Sequence, residues 1–172
     1  DFSMANMVSA AIFGDGAACC LLSSHEKDHG PHILDQQMYH FYNTEDIMGF
    51  KLTNNGMKMV LDVEVPTIIA SHFDAIIHPF LQKNGVEIKD IDYMIFHPGG
   101  KKIVATIEKI FTEFNKSIDD TKAILARYGN MSSATVLYVL ERVFERNPQV
   151  GELGLMLSFG PGFTAQKILL RW

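Results

Sequence analysis

His97 is the first side chain whose setting would aim it at chemistry. It ends an apolar run, Ile91 to Phe96, and is followed by Pro98-Gly99-Gly100. The proline biases His97 toward extended geometry, so its imidazole projects from the C-terminal end of a strand. In α/β sheets that edge is where ligands bind. Gly99 and Gly100 then present bare backbone at the start of the next helix, suited to an anionic or carbonyl oxygen or to a narrow ligand arm. A structural histidine remains the alternative reading. Asn130, between Gly129 and Met131-Ser132-Ser133-Ala134, reads first as a helix N-cap, and its functional reading is a second neutral donor beside His97. Two such donors converging on one oxygen would make an oxyanion hole for a thioester or enolate.

Other reactive types have weaker settings. Ser132 and Ser133 have no base within local reach, so a nucleophilic role is not assigned to them. Phe159-Gly160-Pro161-Gly162 is a rigid turn whose phenylalanine can wall an apolar pocket. Cys19 and Cys20 fall in an apolar run, which reads as a pair of buried structural thiols. His25, His29 and His32 share no helical face across Gly30-Pro31 and lack a Cys or carboxylate framework, so a solvated loop is expected and not a metal site. Gly14-Asp15-Gly16 is too short for a phosphate loop, and the nine methionines read as core filler.

These residues need elements to hold them. Residues 17–24 read as a buried strand after the Gly14–Gly16 turn, and 25–32 as a surface loop. A strand is expected over about 32–42, and Phe50–Leu52 and Met57–Val60 form a hairpin or bulged pair around Asn54-Asn55-Gly56. From Val65 the apolar residues recur at helical spacing for five turns, with Pro66 in the first turn and a stop near Gly85. Ile91–Phe96 is a strand, 103–111 a helix and 119–128 a shorter helix. Ala134 to Phe144 marks another helix, and strands at about 152–158 and 164–171 close the chain. This order predicts one α/β domain with a mixed sheet, helices on its faces and the 91–96 strand in the centre.

Bulk properties exclude several classes. The 172 residues are 47% apolar, enough for one sizeable core. Fifteen Lys and Arg against twenty Asp and Glu leave a charge of −5, which argues against a nucleic-acid partner. The longest strictly apolar run, Ala17 to Leu22, is far short of the roughly 18 residues of a membrane span. Two adjacent cysteines cannot staple distant parts of a fold, so a reducing, cytoplasmic setting is expected. A first residue other than Met suggests that sequence is missing upstream.

Four segments, Phe13-Gly14-Asp15-Gly16-Ala17-Ala18, His97-Pro98-Gly99-Gly100, Tyr128 to Ala134 and Phe159 to Gly162, resemble the type III polyketide synthases in identity, order and spacing. The resemblance spans essentially the whole chain. It implies the C-terminal half of a thiolase fold, in which a cysteine of the other half is acylated by a CoA thioester and malonyl-CoA is decarboxylated and condensed onto it. His97 and Asn130 then match the family's histidine and asparagine, which hold the thioester carbonyl and the enolate, His97 also helping to keep the cysteine a thiolate. Gly99 and Gly100 would border the pantetheine tunnel, Ser132 the cavity wall, and Phe159, Gly160, Pro161 and Gly162 the turn shaping the cavity. Met59 falls where plant members carry a gatekeeping phenylalanine. No cofactor is implied beyond the CoA thioester substrates. The partners implied are acyl-CoA, malonyl-CoA, the N-terminal half and a second copy in a homo-oligomer. No cysteine here matches the nucleophile, so the isolated chain is expected to be inactive. Ketoacyl-ACP synthase III or elongase-type enzymes are the neighbouring alternative, and a non-catalytic scaffold is the alternative of another class.

Overall fold

The computed structural model describes residues 4–25, 30–54 and 56–172. Lys27, Asp28 and His29 of the expected loop, and Asn55 of the expected turn, lie outside these. In chain order the elements are α1 (Met4–Ile12), β1 (His32–His40), β2 (Met48–Thr53), β3 (Gly56–Leu61) and α2 (Val65–Lys83). They continue as β4 (Tyr93–Phe96), α3 (Lys101–Glu113), α4 (Asp119–Tyr128), α5 (Thr135–Glu145), β5 (Leu153–Gly160) and β6 (Thr164–Arg171).

The strand β5 organises the main sheet. It pairs in parallel with β4 and antiparallel with β6, which pairs antiparallel with β1, giving the order β1-β6-β5-β4. Successive side chains of a strand point to opposite faces, and β5 is apolar on both. Leu155 and Leu157 join a core with Phe73, Phe80, Ile107 and Phe111 of α2 and α3. Met156 joins a second core with Ile124 of α4 and Val139, Leu140 and Val143 of α5. The mixed sheet between two helical layers is the expected fold class. The hairpin β2-β3 is also as expected and forms a separate two-stranded sheet.

Three expectations change. The 91–96 strand is an edge of the described sheet and is not central. Helices guard that edge: the amide of His97 donates to Leu157 on the β5 side, so the Phe96 carbonyl faces outward and accepts the buried Thr121 hydroxyl of α4 at 2.9 Å. Sheet order depends on pairing across distant sequence, which a strand's own composition does not report. Second, residues 17–24 form no strand, and Cys19 and Cys20 are exposed. A buried strand needs a neighbour on each side, and no described strand pairs with this segment; Leu21 is 94% exposed. Third, α1 is a helix where none was expected, although Met4, Met7, Val8, Ala11 and Ile12 recur at helical spacing.

Lys167 is the unexpected polar group of the core. It is 2% exposed on the face of β6 that meets α2, where its Nζ donates to the Ile76 carbonyl at 2.8 Å and to Gln37 Oε1 at 2.9 Å. The rings of Phe80 and Tyr39 lie 5.4 and 5.9 Å from the nitrogen. Burial disfavours the ammonium and lowers its pKa from 10.5 to about 8. Unfolding raises that value again, so the native state gains stability as the pH rises from about 8 to 10.5. Lys167→Met should abolish this gain, as read by denaturant titrations across that range; an unchanged slope would show that the lysine is solvated as an ion.

Candidate active site

The backbone around Asn130 is set by a crossing of two segments. The chain leaving α1 meets the turn between α4 and α5: the Asn130 amide donates to the Ile12 carbonyl at 2.8 Å and the Gly14 amide to the Asn130 carbonyl at 3.0 Å. Phe13 and Asn130 thereby form a parallel bridge. The approach leaves no room for side chains. A Cβ on Gly14 would run into the Tyr128 carbonyl, and one on Gly129, at φ +72°, would lie 2.7 Å from the Ile12 carbonyl. The two helices flanking Asn130 are also tied together, because the buried Asp120 of α4 meets Arg142 at 3.1 Å and Arg146 at 2.8 Å, both near the end of α5 or just after it.

The Asn130 side chain is buried and has its orientation fixed by its partners. Oδ1 accepts the Ser132 amide at 2.8 Å, and Nδ2 donates to the Gly99 carbonyl at 3.1 Å. An N–H must face the oxygen and a carbonyl must face the nitrogen, so the amide has one orientation here. Nδ2 has a second hydrogen beyond that bond, and Asn130 lines a cavity. Asn130 is not the N-cap of α5, a place that Ala134 takes; its oxygen instead accepts a backbone amide within the turn before that helix.

His97 follows the C-terminal end of β4 and lines the same cavity. Burial lowers its pKa from 6.5 to about 4, with no hydrogen bond or charge among the causes. The ring is thus neutral near pH 7 and carries one N–H for an oxygen.

The cavity, about 100 Å³, also takes Gly99, Ser132, Phe159, Pro161 and Met59 into its wall, so residues from four distant parts of the sequence meet there. Gly100 caps α3 and stands outside the lining, as do Gly160 and Gly162. Gly162, at φ +76°, instead lets the turn reach back and donate its amide to the Met48 carbonyl. Met59 is met by the Ser9 hydroxyl of α1 at 3.5 Å from its sulfur. The hairpin contributes Met48 and Phe50, and the α1 end contributes Phe13. Nothing in the spacing of these three marks them as lining, except that Phe13 opens the Gly14-Asp15-Gly16 motif. Among the described residues no cluster of His, Cys, Asp or Glu fits a metal ion.

A mixed sheet between two helical layers, with a histidine at a strand end and an asparagine in a helix–helix turn lining one cavity, is the C-terminal half of a thiolase fold. Solved structures agree. The PKS-I of the brown alga Ectocarpus siliculosus superposes with a TM-score of 0.74 at 30% identity, over 86% of this chain and 42% of that one. The 1,3,6,8-tetrahydroxynaphthalene synthase of Streptomyces coelicolor gives 0.74 at 29% identity, over 83% and 41%. Residues 33–172 match the family profile "Chalcone and stilbene synthases, C-terminal domain", and the chain belongs to that family. It is 36% identical to the 1,3,6,8-tetrahydroxynaphthalene synthase of Streptomyces peucetius over all of this chain and 47% of that protein. It is 31% identical to the type III polyketide synthase B of Arabidopsis thaliana over 96% of this chain and 46% of that protein. The chain spans about half the length of the curated relatives it matches.

The lowered pKa of His97 has a consequence in acid. Its unfolded value is higher than its folded one, so the unfolded state binds the proton first, and stability present above about pH 6.5 is lost as the pH falls toward 4. His97→Gln should remove that share of the acid loss, measured as the difference between denaturation midpoints of the two proteins from about pH 7 down to 4. Parallel curves would place the imidazole in water.

Proposed function

We propose that this chain is the part of a type III polyketide synthase that stabilises charge during decarboxylative Claisen condensation of malonyl-CoA onto an acyl-CoA starter. The observation that carries the reading is that His97 and Asn130, 33 residues apart in sequence, present neutral N–H donors to one small apolar-walled cavity.

The chemistry needs three steps. A cysteine thiolate attacks the starter thioester, and the bond to sulfur breaks to expel CoA as its thiolate, which takes a proton from water. Malonyl-CoA then loses carbon dioxide, and the electron pair left behind spreads onto the thioester oxygen. The enolate carbon attacks the acyl-cysteine, forming the new carbon–carbon bond and releasing the cysteine. His97 and Asn130 serve the second step, because donors held in place around the developing oxyanion need no reorganisation when the charge appears. Neutral donors suit this task. A cation at His97 would bind the malonyl carboxylate and oppose its loss, whereas the neutral ring favours the oxyanion alone.

Cys19 and Cys20 are exposed, and neither lines the cavity. The nucleophile is therefore assigned to the N-terminal half expected to accompany this chain, which would also cover the apolar side chains of α1 and of residues 17–24. The cavity is smaller than the about 150 Å³ that holds a benzene molecule, so it suits a thioester head group, while the growing chain would occupy space walled by both halves. No described helix is long and apolar enough to cross a membrane; a cytoplasmic site, where paired thiols stay reduced, fits two unlinked cysteines.

In the complete enzyme Asn130→Ala should lower malonyl-CoA decarboxylation by about 10²–10³, the scale for losing one oxyanion donor, and His97→Ala by at least as much. Near-wild-type rates in both would make the pair structural. Intact mass spectrometry after acyl-CoA treatment separates a synthase from a scaffold, since a scaffold acquires no covalent acyl group. The chain on its own should give no condensation product and should self-associate in light scattering, because Leu21, Leu22, Phe50 and Leu52 are exposed. Turnover by this chain alone would make Cys19 or Cys20 the nucleophile.

A further inference from the structure

We propose that Thr135 is a positioning residue for the reaction, acting through Asn130; this rests on the reading of Asn130 as an oxyanion donor. Thr135 is the first residue of α5 and is fully buried. Its hydroxyl bridges both ends of the turn that follows Asn130: Oγ1 accepts the Met131 amide at 2.8 Å and donates to the Ser132 carbonyl at 2.8 Å. Between these two bonds the chain adopts an unfavourable shape, with Ser132 at φ +56°. A non-glycine residue is held there only where surrounding contacts over-determine it.

The strained turn has a chemical consequence. It aims the Ser132 amide at Asn130 Oδ1, and that bond, with the Gly99 carbonyl on Nδ2, sets the rotation of the carboxamide. If the turn relaxes, the amide loses its grip on the oxygen and the plane of the side chain can rotate, carrying the second Nδ2 hydrogen away from the cavity. The backbone of Asn130 would stay in place, because Ile12 and Gly14 hold it independently. Thr135 thus governs the direction of the donor and not the position of the residue. It is suited to this because α5 buries Val139, Leu140 and Val143 in the core, which makes the clamp as rigid as the sheet it rests on.

Removing the hydroxyl should impair the chemical step more than binding. In the full-length enzyme, with malonyl-CoA as the probe and decarboxylation as the readout, Thr135→Val should lower kcat about tenfold with KM changed less than about threefold. Thr135→Ser keeps the hydroxyl and should return kcat to within about threefold of wild type. The double variant Thr135→Val with Asn130→Ala should be no slower than Asn130→Ala alone, since a donor that is absent cannot be misaimed. Thr135→Ala replaces the valine variant if that protein does not fold. A wild-type kcat without the hydroxyl would overturn the proposal, and so would a loss of the same size on the Asn130→Ala background, which would mark a general structural effect. Asn130→Ala in the same assay keeps the two readings apart. If it is slow while the Thr135 variants are not, the positioning role alone fails; if it is as fast as wild type, the donor reading fails and the positioning role with it.

Discussion

Two backbones that touch without intervening side chains determine where the site can be. The strand-like exit from α1 and the turn between α4 and α5 share two hydrogen bonds at Asn130, and glycine at positions 14 and 129 is what lets them close. A single methyl group at either position would force the segments apart, and Asn130 would move with its turn. The cavity is therefore built on a contact between the beginning of the chain and its last third, a contact in which no strand of the main sheet takes part. Gly14-Asp15-Gly16, which has the look of an ordinary turn, owes its first glycine to this approach.

The two proposed donors are held by different means, and each means fits what surrounds it. His97 is carried by the end of a strand whose inner edge bonds to β5 and whose outer carbonyl at Phe96 is closed by Thr121. Its ring is left unpartnered by charge, and burial keeps it neutral. Asn130 is carried by a turn, where polar groups are dense, so its amide is set by hydrogen bonds at both ends. Burial thus sets the charge state of one donor and partner geometry sets the direction of the other. The sheet reaches both: β4 directly, and α5 through the core it shares with Met156 and Leu170.

Much of this was legible in the residues themselves. Helix α2 declares itself by apolar spacing, and β5 and β6 by apolar runs on either side of a glycine-rich turn. His97-Pro98-Gly99-Gly100 and the Gly129-Asn130 turn mark the two residues proposed as donors, and both line the cavity. What was not legible depends on partners distant in sequence. Residues 17–24 are apolar enough for a strand, yet burial belongs to a pairing and not to a composition, so Cys19 and Cys20 are exposed here. The edge position of β4 follows from sheet order. Lys167 was missed for a related reason: a lysine next to Gln166 reads as outward-facing, and the Ile76 carbonyl and Gln37 that receive it lie some ninety and 130 residues away.

The hairpin β2-β3 has a further meaning for how such a molecule can change. It pairs with no strand of the main sheet, its side chains are at most partly buried, and yet Met48, Phe50 and Met59 form one side of the cavity. Substitution at Phe50 or Met59, which belong to neither core, alters the shape of the void with little cost to the fold, because little packing is lost when a half-exposed side chain grows or shrinks. The scaffold thus separates an immutable part from a part open to drift: inheritance can rework the mould through the hairpin, generation by generation, without first having to repair the fold.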